Sequence, residues 1–162
     1  MIKQKTVYNF FKFLEDKRGE EMPFLFKLVL DPESISKKEL YIEDNLDIEG
    51  LPIKKLPNNL KIEGAIVMHR AKIKTLPDDI EVGLGVYASY SELEYLPNNL
   101  HTEDIICNGS KLQDIPYNFK LDGTFNVNNT PLSKKYTEEE IRKLIEDRGG
   151  YVKGEIMTRW KW

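Results

Sequence analysis

The sequence predicts a repeat solenoid of short parallel β-strands, and three observations predict it. Leu56-Pro57, Leu76-Pro77, Leu96-Pro97 and Ile115-Pro116 recur 20, 20 and 19 residues apart. At such a period each repeat is too short to bury its own apolar face and must stack on its neighbours. Ten, eight and three residues before each pair stand apolar side chains: Leu46, Ile48 and Ile53; Ile66, Met68 and Ile73; Val86, Ala88 and Leu93; Ile105, Cys107 and Leu112. A fifth set, Phe125, Val127 and Leu132, keeps this spacing with Lys135-Tyr136 in place of the pair. Alternate apolar residues turn one side of a short strand to the core and the other to solvent. The proline then ends regular pairing, because it has no N–H to donate.

Taken in order, residues 1–38 are expected to form an α-helical N-terminal cap. Val7, Phe10, Phe11 and Leu14 have helical spacing, with Thr6 as N-cap and Gly19 as the stop. Phe24 to Leu30 is an apolar run of strand length, ended by Asp31-Pro32. Residues 39–136 are the solenoid proper, about five repeats of 19–20 residues. Fourteen before each mark another apolar residue fills the core, at Ile42, Ile62, Val82 and Leu121, with His101 as the exception. Residues 137–162 continue the stack. Thr137 and Glu140 form a capping box, Tyr136 and Ile141 are placed as its hydrophobic staple, and the helix closes at Gly149. Val152-x-Gly154-x-Ile156 then repeats the spacing of Ile62-x-Gly64-x-Ile66, so the helix is an insertion and a sixth strand follows it.

Small or hydroxyl residues stand five before the marks, at Ala71, Ser91, Ser110 and Thr130. The pattern apolar-x-x-small-x-apolar-x-x-Leu-Pro resembles the leucine-rich repeat. In its short form it is similar to the leucine-rich-repeat-like proteins of tailed bacteriophages. The closing segment from Asn129-Thr130-Pro131-Leu132 to Gly150-Tyr151-Val152-Lys153-Gly154 is similar to the ending of that group. The chain departs from the leucine-rich repeat in two ways. The outer leucine is replaced by Glu63, Gly83, Thr102 and Asp122, and the ladder asparagine is missing. Both a leucine-rich coil and a β-solenoid coil with two strands per turn fit the pattern. The resemblance implies no activity; it implies a protein-binding module, either a phage factor that engages a host protein, such as a defence component, or an accessory virion protein.

Composition narrows the function classes. The 162 residues carry 24 basic and 27 acidic side chains, a net charge of −3, which gives no electrostatic footprint for nucleic acid. No apolar run is long enough to span a membrane, and the start lacks a secretory apolar region, so the expected place is the cytoplasm. A single cysteine, Cys107, rules out an internal disulfide and falls on a core position. His69 and His101, the two histidines, have no third ligand at metal spacing, and no phosphate loop precedes a helix. No enzyme, metal or cofactor is therefore expected.

In a solenoid the outward residues of the strands are left to bind. Between the two core residues of each strand lie Asp47, Val67, Tyr87, Ile106, Asn126 and Met157. Val67, Tyr87 and Ile106 make an apolar stripe, edged by His69, Arg70, Ser89, Tyr90, Asn108, Asn128 and Asn129. An aromatic centre with a polar rim is the anatomy of a protein interface; the same stripe is also what β-propensity or cover by the cap would produce. The tail Arg159-Trp160-Lys161-Trp162 offers a second site, able to stack on bases or to fold back on the solenoid end.

Overall fold

The structure is a computed structural model that describes residues 5, 8, 9, 12–14 and 22–160. It comprises two compact units, residues 1–40 and 41–162. In the first unit Lys5, Tyr8, Asn9, Lys12, Phe13 and Leu14 are helical. Thr6, Val7, Phe10, Phe11 and Gly19 lie outside the described residues, as do Lys161 and Trp162 of the tail. The run Phe24–Leu30 is not a strand but a helix, α1. An apolar run of that length has no periodicity to separate the two states. Pro23 supplies the start, its carbonyl accepting from Phe26 and Lys27 N–H at 3.0 and 3.1 Å. Within this unit Lys27 pairs with Glu39 at 2.8 Å, and the Tyr8 hydroxyl donates to Asp31 at 3.1 Å.

The second unit is a parallel-strand β-solenoid. Its strands are β1 Tyr41–Ile42, β2 Leu46–Asp47, β3 Lys61–Ile62, β4 Ala65–Val67, β5 Glu81–Val82 and β6 Gly85–Tyr87. They continue as β7 His101–Thr102, β8 Asp104–Ile106, β9 Lys120–Leu121, β10 Phe125–Asn126, β11 Tyr151–Val152 and β12 Ile156–Met157. Each coil, numbered 1 to 6 from the pair β1–β2 to the pair β11–β12, has a first side from the odd-numbered strands and a second from the even-numbered ones. A third, extended side runs up to the Leu-Pro mark. The second sides form one continuous sheet in the order β12-β10-β8-β6-β4-β2. Its register places Leu46, Ile66, Val86, Ile105, Phe125 and Ile156 in one file. All six are at most 3% exposed, so this file is the axis of the core. Cys107 is fully buried in the neighbouring file with Met68, Ala88 and Val127.

The first sides do not form one sheet: β1-β3-β5 and β7-β9-β11 are separate. The break corrects the reading of His101. His101 pairs in register with Lys120 and faces outward, while Thr102 beside it pairs with Leu121 and is buried. Four positions separate Val82 from Val86, but three separate Thr102 from Ile105. The residue missing from the 19-residue repeat is therefore lost in the corner between the first and second sides. Counting back across that corner from Ile115 displaces everything before it by one. Thr102 meets its polar obligation by donating its hydroxyl to Gly83 O at 3.3 Å.

Two further features hold the coils. At the corners, Asn45 accepts Ala65 N–H at 2.8 Å and Asp104 accepts Thr124 N–H at 2.6 Å, each bond reaching into the next coil. At the small position five before the mark, the hydroxyls bond within their own coil. Ser91 donates to Ala88 O at 2.7 Å and Thr130 donates to Val127 O at 2.7 Å. The chain then forms α2 Pro131–Lys135 and α3 Glu138–Asp147. Both carry capping boxes, the second between Thr137 and Glu140 as the sequence predicts. Helix α3 buries Ile141 and Ile145, and its Arg142 guanidinium donates to the carbonyls of Val152 and Gly154. Carbonyls beside β11, the edge strand of its sheet, are thereby satisfied by a side chain.

Candidate functional site

The register of the second-side sheet sets Asp47, Val67, Tyr87, Ile106, Asn126 and Met157 side by side. Val67, Tyr87 and Ile106 are half-buried. Partial burial of Tyr87 and the carboxylates of Asp104 and Glu103 raise its phenol above its ordinary range. Asn126 in this row and Asn128 in the turn after it are only 8% and 7% exposed. Asn126 Oδ1 accepts Asn128 N–H at 3.1 Å, which spends one of its polar atoms on the local turn.

Beyond the strands lies a polar row along the turn. His69 Nδ1 accepts Ser89 N–H at 3.2 Å, and the Ser89 hydroxyl donates to Asn108 at 2.8 Å. Backbone bonds run beside it, from Arg70 N–H to Ser89 O, Tyr90 N–H to Asn108 O and Gly109 N–H to Asn128 O, at 2.8–3.0 Å. These bonds tie each turn to the next.

The row displays Arg70 and Tyr90. The third residue after β2, β4, β6, β8 and β10 has a left-handed backbone: Gly50 (φ 72°), Arg70 (56°), Tyr90 (57°), Gly109 (71°) and Asn129 (54°). Glycine adopts that conformation freely and asparagine tolerates it, whereas a bulky L-residue is strained there by roughly 1–2 kcal/mol. Arg70 and Tyr90 are nevertheless the residues in coils 2 and 3. Tyr90 is 60% exposed, and Arg70 makes only an exposed contact with Glu49 at 3.4 Å. Such a pair contributes little. The sequence carries the signal, since aligning Gly50, Gly109 and Asn129 on the repeat marks the left-handed position. Trp160, three residues after β12, is also exposed.

Elsewhere, His101 Nε2 lies 2.9 Å from Asp122 Oδ2, while Lys153 and the Tyr151 hydroxyl meet Asp122 Oδ1 at 2.6 and 3.2 Å. Lys153 and His101 hold the Asp122 carboxyl down to about 2. This is an exposed ion cluster on the first side. Among the described residues no group of three or more His, Cys, Asp or Glu side chains is placed to hold a metal ion. No helix among them is long and apolar enough to cross a membrane. Comparison with protein-family models, curated proteins and solved structures finds no match to this chain.

Proposed function

We propose that this protein is a non-enzymatic binding module that engages another protein through the turn edge of its six-stranded sheet. Arg70 and Tyr90 are the anchors, and Val67, Tyr87 and Ile106 form the apolar ground beside them. One observation carries the reading: two large, exposed side chains occupy backbone positions where the same chain elsewhere uses glycine or asparagine. Strain of that kind persists where it serves display and is rarely kept for stability. Arginine and tyrosine are also the residue types that dominate interface energetics. The resemblance to phage leucine-rich-repeat-like proteins gives the partner class, a host protein in the host cytoplasm.

The test separates folding from binding. The double variant Arg70→Gly, Tyr90→Gly should keep the fold and unfold at equal or higher denaturant concentration, since both strained positions are relieved. It should lose a partner that the wild type captures from host lysate and that is identified by mass spectrometry. Retained capture of that same partner overturns the interface. A stability loss above about 1 kcal/mol would show that the two side chains serve the fold instead.

A further inference from the structure

The third sides of the coils are joined by backbone hydrogen bonds, except at one step. Coil 3 donates twice to coil 2, from Glu92 N–H to Ala71 O at 2.9 Å and from Glu94 N–H to Lys74 O at 2.8 Å. Gln113 N–H donates to Glu94 O at 3.0 Å and Leu132 N–H to Leu112 O at 3.0 Å in the coils that follow. Among the described residues, Lys72 and Lys74 N–H donate to nothing on coil 1. The chain there reads Leu51-Pro52-Ile53, and Ile53 N–H turns back to Leu51 O at 2.8 Å. A groove opens at this step, lined by Leu51, Pro52, Lys54, Arg70, Lys72 and Lys74. Four cationic side chains line it against one carboxylate, Glu92. The pairs that compete for them are exposed and long: Lys72–Glu92 at 3.8 Å, Lys74–Glu94 at 3.6 Å and Arg70–Glu49 at 3.4 Å.

We infer that this groove receives an extended acidic peptide segment of the partner, added as a strand between coil 1 and coil 2. Two free N–H groups two residues apart on one edge are the donor spacing of a β-ladder, roughly 6.6–6.8 Å, and match alternate carbonyls of an extended chain. Leu51 and Pro52 supply apolar contact, and the four cations meet carboxylates on either side of the peptide backbone. A bare anion would use the charge but not the ladder spacing, which is why a peptide is favoured over a nucleic-acid phosphate. The inference rests on the interface reading through Arg70, which borders both surfaces.

The experiment is an amide NMR titration of the full chain with an acetylated, amidated pentapeptide alternating glutamate and valine. Saturable shifts of the Lys72 and Lys74 amides are expected, with slowed hydrogen exchange at both. Binding should weaken at least tenfold in Lys54→Glu, an exposed position whose substitution should leave the fold intact. Unmoved amides overturn the inference. So does an equal response to a lysine–valine pentapeptide, or the same shifts produced by inorganic phosphate or short single-stranded DNA. Exchange at Lys72 and Lys74 as slow as at Glu94 before any peptide is added would also overturn it, since the gap would then be closed. Tyr90→Gly lies outside the groove and should leave the titration unchanged. Partner capture lost with Tyr90→Gly but normal with Lys54→Glu would keep the interface and remove the acidic-peptide groove.

Discussion

The ring of Tyr90 rests on Gly109: a Cβ at position 109 would stand 2.6 Å from Cδ1 and 2.7 Å from Cε1 of that ring. Gly109 also has φ +71°. It therefore meets two demands, one local to its own turn and one imposed by the coil before it. Gly109→Ala should destabilise the protein by about 1–2 kcal/mol and displace the Tyr90 ring. In a Tyr90→Gly background only the backbone share, about 1 kcal/mol, should remain. Denaturant unfolding of the four proteins of this cycle checks it, and equal losses in both backgrounds would mean that the ring does not press on Gly109.

Coil 2 lacks a hydroxyl at the small position, having Ala71 where coil 3 has Ser91. In coil 3 that hydroxyl donates to Ala88 O and accepts Leu93 N–H at 3.3 Å. Ala71→Ser should build the same bonds to Met68 O and Ile73 N–H and stabilise the chain by about 1 kcal/mol. A higher midpoint in thermal or urea unfolding is the expected result; a lower one would show that the buried site has no room for the oxygen.

Asp122 links acid stability to the first side. Its folded value of about 2 lies below the ordinary carboxylate range because Lys153, then His101, bond the charged form. A group depressed on folding contributes stability above its unfolded value, about 3.9, and loses it as pH falls through the folded one. The Tm difference between wild type and Asp122→Asn should be largest above about pH 5 and close by pH 2. Because the cluster is exposed, the difference should also shrink in high salt. A difference independent of pH would remove the ionic account.

Cys107 is fully buried, and burial pushes its thiol up to about 12, with a hydrogen bond from Ser110 opposing only in part. The native protein should resist thiol reagents at pH 8 and react once unfolded, at a rate set by opening of the stack. Rapid labelling of the native state would show that the core around Met68 and Val127 opens without global unfolding.

Much of this was legible in the sequence because stacking is periodic. The Leu-Pro marks fix the file from Leu46 to Ile156, the outward row from Asp47 to Met157, and the inserted helix with its Thr137–Glu140 box, since each follows from spacing alone. Phe24–Leu30 was not legible, because six apolar residues in a run of seven serve a helix or a strand equally until something packs against them.

The sequence by itself determined the repeat, its phase and which side of each second-side strand faces the core, because alternation and period translate directly into geometry. Only the tertiary structure decided two things. It placed the lost residue of the 19-residue repeat in the corner before Ile105, which turned His101 outward. It left the Lys72 and Lys74 N–H groups without acceptors on coil 1. Each of these depends on how one coil meets the next, and a hydrogen bond that forms or fails between residues about 20 positions apart leaves no mark in local composition.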